Sequence, residues 1–229
     1  MAVPTLFVTG DAEREVVPDR VVVSVSVQTP VLRTPQDALS RAAEARRRLL
    51  DHLASALPGS AVADGRIRTH AEQRIIEEER RGRTETRYEV AGYTGLCLIT
   101  VEDEAARAAE IVAGAGAHPD AAEVSPRFRV GPALARRVRD ELEQEAVRDA
   151  LARAQGLAAA AGMAVGPVVS IGEGDTVLAP RDDDYTTHTY AEMSAPMGAE
   201  ELQDALGELR PEPVTRTASV PVRLALVDR

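Results

Sequence analysis

The residues able to do chemistry in this 229-residue chain are four histidines, one cysteine and an acidic run. Asp182, Asp183 and Asp184 stand in succession, followed by Tyr185, His188, Tyr190 and Glu192. Hard divalent cations favour clustered carboxylates, so Asp182, Asp183, Asp184 and His188 are the candidate metal ligands. The plainer alternative is a solvated loop, because no EF-hand periodicity orders these side chains. His188 is also the candidate base of a hydrolase. His52 falls in a helix, His70 in a strand and His118 in a loop, without the HxH or HxxxH spacing of a zinc site. There is no GxSxG nucleophile elbow. The stretches GEGD from Gly172 and GAGAH from Gly114 lack the strand-turn-helix setting that presents backbone N–H groups to phosphate. Cys97 sits in the apolar run GLCLITV with no basic neighbour in sequence to lower its pKa, and reads as a buried, inert thiol. The sequence therefore predicts no catalytic set and no cofactor.

Composition narrows the partners. Net charge is −10 with a pI near 5.0, and aromatic residues are 3% with no Trp. Phosphate backbones and anionic membrane surfaces are bound through Lys and Arg excess, and bases through aromatic platforms. Nucleic acid is thus disfavoured as a partner. No apolar run reaches the ~20 residues that cross a bilayer. The N-terminal MAVPTLFVTGDAERE has no basic region followed by an apolar one, so the chain as given is expected in the cytoplasm. Hydrophobic residues at 44% and charged ones at 28% describe a globular chain.

The elements that must position these residues follow from hydrophobic period and punctuation. Leu134, Val138, Leu142, Ala146, Ala150, Ala154, Ala158 and Ala161 recur at steps of three or four, predicting one long helix opened by Pro132 and closed by Gly162. A strand follows directly to about Asp175. Residues 5–17 read as a strand interrupted near Gly10, and Val21, Val23, Val25 and Val27 alternate with smaller or polar neighbours. Pro18-Asp19 between them predicts an antiparallel hairpin. Thr34 and Pro35 open a helix with Leu39, Ala42, Ala43, Leu49, Leu50 and Leu53 inward, ended by Pro58-Gly59. Residues 65–79 and 84–101 predict a long hairpin across the charged tip Arg80 to Arg83. Asp103 is the expected cap of a short helix ending at Gly114 or Gly116, and Pro126 demotes the strand at 121–130 toward an edge or bulge. A terminal strand spans Val214 to Val227. Strands in runs, without regular strand-helix alternation, predict an α+β fold of mainly antiparallel strands with one long and two shorter helices. We read one domain over residues 1–229, with a loop-rich insertion at about 176–213.

Several of these segments together resemble the SIMPL-domain family: VTGDAEREVVPDRVVVSVSVQT near the start, RIRT at Arg66, the pair Gly92-Tyr93, and AAEIVAGAGA leading to the strand of Phe128. The segment AVRDALARAQGLAAAAGMAVGPVVSIGEG and the closing VTRTASVPVRLAL complete the likeness. The chain departs from the family at Gly10 and Ala12, where members carry G-x-G, and many bacterial members look exported. The resemblance implies an α+β protein assembling into ring-like or channel-like homo-oligomers, with links to stress resistance. The expected function is a non-enzymatic protein that associates with itself, its strands or the long alanine-striped helix providing the subunit contacts. The alternatives are a metal or small-ligand module using residues 182–192, and a hydrolase.

Overall fold

The computed structural model describes residues 4–80, 83–172, 186–187 and 209–228. In chain order the elements are β1 (Thr5–Val16), β2 (Arg20–Gln28), α1 (Pro35–Ala56), β3 (Ala61–Asp64), β4 (Arg68–Arg80) and β5 (Arg83–Glu104). A 3₁₀ turn (Ala105–Arg107) leads to α2 (Ala108–Gly116), β6 (Glu123–Arg129), α3 (Pro132–Ala160), β7 (Met163–Ile171), the two-residue β8 (Thr186–Thr187) and β9 (Val214–Asp228). Helices packed with antiparallel sheets make this an α+β fold, as the sequence predicts. The chain divides into two compact units, one of Met1–Asp19, Arg129–Thr186 and Pro211–Arg229, the other of Arg20–Phe128 and Thr187–Arg210.

The first unit is a sheet of order β1-β9-β7 with α3 laid across it. Strand β9 is central because its alternating Ala218, Val220, Val222 and Leu224 are buried on one face, and its flanks pair antiparallel with β1 and β7. From α3 the buried residues are Val138, Leu142, Ala146, Ala150, Ala154 and Ala158. The facing position on β1 is Gly10, where an added Cβ would lie 1.9 Å from the Ala146 carbonyl oxygen and 2.4 Å from the Ala150 nitrogen. Strand glycine and helix alanines are two halves of one contact, in which backbone meets backbone. The chain then leaves α3 through Gly162, at φ +72°, a left-handed conformation that glycine adopts at little cost.

The second unit holds a larger sheet of order β3-β5-β2-β6-β8, with β4 also paired to β5. Val23 lies opposite Val101, Val25 opposite Ile99 and Val27 opposite Cys97. These pack with Leu49 and Leu53 of α1, Ile111 and Val112 of α2, and Phe128 of β6. Full burial of each such aliphatic side chain contributes about 1.5–3 kcal/mol. Thr34 caps α1, its Oγ1 accepting the Asp37 N–H at 3.1 Å. A second glycine seat appears here: a Cβ on Gly95 would meet the Ala38 carbonyl oxygen at 2.4 Å and the Ala42 Cβ at 2.8 Å.

Five local expectations need correction. Strands β1 and β2 form no hairpin, since β1 pairs with β9 and β2 with β5; alternation shows that a strand has one buried face but not which strand lies beside it. Strand β1 runs unbroken through Gly10. On α1 the inward face carries Ala38 and Ala45, whereas Leu39 is 40% exposed and Ala43 is exposed. Asp103 closes β5 and caps no α-helix; one carboxylate oxygen accepts the Glu104 N–H at 2.8 Å. The alanine stripe of α3, read as a source of subunit contacts, is covered by β1 and β9 of the same chain.

Candidate functional site

Asp182, Asp183, Asp184 and His188, with Tyr185, Tyr190 and Glu192, lie outside the described residues. Among the described residues no group of three or more His, Cys, Asp or Glu is placed to hold a metal ion. In the first unit Arg14 pairs with Glu141 and Glu145, and Arg153 with Asp11 and Asp149; the described histidines, Ser60 and Cys97 sit in three small networks and one cleft in the second unit.

The first network joins α1 to the end of α2. His52 Nε2 lies 2.8 Å from the Gly114 carbonyl oxygen, so that nitrogen donates and carries the proton. The His118 ring is tilted 45° to it at 5.0 Å between centroids. Its Nδ1 accepts the Asp120 N–H at 3.2 Å, which fixes the proton on Nε2. Arg48 closes the network with two bonds to Asp120, of 2.8 and 3.1 Å. That guanidinium holds the Asp120 carboxyl below the usual range and is itself raised by it. A carboxylate engaged by a bidentate arginine is not a free base.

The second network ties the lead-in of β3 to the end of β5. Ser60 Oγ donates to Asp103 at 2.5 Å, and Arg107 reaches the same carboxylate at 2.5 Å and Glu110 at 2.8 Å. The Ser60 hydroxyl, then the Glu104 N–H and the Arg107 charge, pull Asp103 below its ordinary pKa. Without a histidine beside it, this serine is not an activated nucleophile; it locks a turn. In the third network Arg46 pairs with Asp64. Nearby, burial pushes the Cys97 thiol up, with the Arg46 charge opposing in part, and Sγ lies 3.6 Å from the Gly65 carbonyl oxygen. A buried thiol with a raised pKa is a poor nucleophile, which agrees with the inert reading of Cys97.

The cleft, of about 500 Å³, opens where β5 changes edge partners from β3 to β4. Arg66, Arg68 and His70 line one side, Leu96 and Leu98 form the floor and Ser26 borders it. Sequence reasoning placed His70 in a strand but did not see this juxtaposition. The available signal was the alternation Arg66, Arg68, His70 around Ile67, which packs against the core.

No match was found among curated proteins. The family model described as SIMPL, protein of unknown function (DUF541), matches residues 6–224. The antiparallel α+β architecture, the helix closed by Gly162 and the long β4–β5 pairing therefore belong to a chain that is a member of the SIMPL family.

Proposed function

We propose that this SIMPL-family chain is a non-enzymatic scaffold that joins copies of itself. The observation that carries the proposal is the arm formed by β4 and β5. Third-strand support ends near Leu32, which bridges to Tyr93. From Gln73–Val90 outward, β4 and β5 pair only with each other among the described residues. At about 3.4 Å per residue the eight-residue ladder to Arg80 extends roughly 27 Å. Ile75 and Tyr88 lie opposite one another on it, 61% and 64% exposed, and Val90 is 47% exposed on the same face.

A lone two-stranded ribbon is marginal in water, and its edges present unpaired N–H and C=O groups. A third strand or an apolar cover stabilises it. A second copy suits this arm because the charges of residues 72–89 nearly balance, six Glu against five Arg, with Arg74 and Glu89 paired across the ribbon at 2.9 Å, so a like arm meets little net charge. The engagement of Ser60, His52, His118 and Cys97 in packing and turn contacts supports the non-enzymatic part of the reading. The stress-related role implied by the family resemblance is consistent with a scaffold.

Light scattering coupled to gel filtration tests the proposal. At micromolar concentration the native chain is expected to run as an oligomer, and the pair Ile75→Lys with Tyr88→Glu as a monomer with unchanged circular dichroism. A native chain that elutes as a clean monomer refutes it. The native chain has no lysine, so amine-directed cross-linking is an unsuitable substitute.

A further inference from the structure

We infer that the cleft beside β4 binds an amphipathic monoanion, with a carboxylate or sulfonate head on Arg66 and Arg68 and an apolar body on Leu96 and Leu98. Ile67 is directed to the core, which leaves its neighbours Arg66 and Arg68 on the opposite, open face. The register places Arg68 directly across from Leu96, His70 across from Thr94, and Ser26 across from Leu98. The head groups and the floor are therefore cross-strand neighbours on a single sheet face, where paired side chains lie within about 5.5 Å at Cβ. The volume falls within the range of small-molecule sites.

Charge argues for the class of ligand. Arg14, Arg46, Arg48, Arg74, Arg107 and Arg153 each pair with a carboxylate. Arg66, Arg68 and His70 make no ion pair or hydrogen bond among the described residues, although all three are exposed. Arg136 and Arg137 on α3 are likewise unpaired among the described residues; in this chain of net charge −10, what sets Arg66 and Arg68 apart is that they line one cleft together with Leu96 and Leu98, and guanidinium forks match planar or tetrahedral oxyanions. The same net charge repels polyanions. A simple inorganic anion gains nothing from Leu98, which is 50% exposed; an anion with an apolar tail covers it. Further along the row, Glu72 accepts from the Thr94 hydroxyl at 2.9 Å. This carboxylate bars a second acidic group at that end and directs the head to Arg66 and Arg68.

Isothermal calorimetry with decanoate below its micelle concentration tests the inference on the full chain. Saturable binding near one per chain is expected, with inorganic phosphate giving none. The double variant Arg66→Glu and Arg68→Glu should weaken decanoate by about tenfold or more, the scale of a lost charged hydrogen bond. Arg136→Glu with Arg137→Glu, the same charge change on exposed positions of α3, should leave it nearly unaltered. Leu98→Asn should also weaken decanoate, separating the apolar floor from the charges. Absence of decanoate heat, equal weakening by the two charge reversals, or binding of phosphate as tight as that of decanoate would each overturn the assignment.

Discussion

Replacing Gly10 by alanine puts a methyl carbon where α3 already is. The new Cβ would stand 1.9 Å from the Ala146 carbonyl oxygen, 2.4 Å from the Ala150 nitrogen and 2.8 Å from the Ala150 Cβ. Ordinary contact begins at 3.4 Å, so the helix must retreat by about 1.5 Å. The two nearest atoms are backbone, and no rotamer change moves them. A gap of 0.5–1 Å already forfeits a quarter to a half of a dispersion well, and α3 seats six buried side chains on this sheet. Overpacking alone costs about 1–3 kcal/mol; with the lost contacts we expect about 3–5 kcal/mol. Against a total stability of order 5–15 kcal/mol that is a large share. Chemical denaturation of the native chain and of Gly10→Ala measures it. Two controls sharpen the test. Gly156→Ala lies on the same helix with open space around it and should stabilise by about 1 kcal/mol. Adding Ala150→Gly to Gly10→Ala removes the contact at 2.8 Å but not the one at 1.9 Å, so it should restore little. A Gly10→Ala variant within about 0.5 kcal/mol of native, or one fully rescued by Ala150→Gly, would show that β1 and α3 do not touch through their backbones.

Two further outcomes are expected. Asp103 and Asp120 both titrate below the ordinary value of 3.8, through the Ser60 hydroxyl and Arg48 respectively. Depressed carboxyls contribute stability that is fully present above pH 3.8 and lost as pH falls through their folded values. Acid unfolding curves should therefore fall less steeply below pH 3.8 for Asp103→Asn with Asp120→Asn than for native protein, from a lower starting stability at neutral pH. Equal slopes would remove both carboxylates from the acid response. Cys97 is 4% exposed and its pKa is raised by burial, so Ellman's reagent should modify it only as fast as the chain opens, and at once in denaturant. Rapid reaction of the folded protein would contradict its placement.

The parts of the fold that could be read from the sequence are those fixed by neighbours in the chain. Pro132 and Gly162 bound α3, Thr34 caps α1, and β4 with β5 forms the long pairing foreseen from residues 65–101. The parts that could not were fixed by residues far away. Strand β1 finds its partner in β9 across nearly the full length of the chain, and nothing near Pro18-Asp19 indicates this. Gly10 looks like an interruption until Ala146 and Ala150 lie on it. Leu39 has the right type for a core but falls on the outer side of α1, because Ala38 and Ala42 seat against Gly95 and rotate it away. For the site, the acidic run Asp182, Asp183, Asp184 was the visible signal. The cleft went unseen because its cations and its floor come from strands whose pairing, Arg68 with Leu96, spans a hairpin.

The central place of β9 in the smaller sheet bears on how the chain is made. Strand β1 leaves the ribosome about 200 residues ahead of β9, which at 5–20 residues per second is roughly 10–40 s of synthesis. During that interval Val8 and Val16 of β1, and later the uncharged stretch Met163–Ile171 of β7, have no partner strand to pair with. The continuous stretch Arg20–Phe128 holds most of the larger sheet and the two shorter helices and can collapse meanwhile, with only Thr187–Arg210 of its unit still to come. Stalling translation between β7 and β9 would thus leave one half of the nascent polypeptide protease-resistant and the other vulnerable.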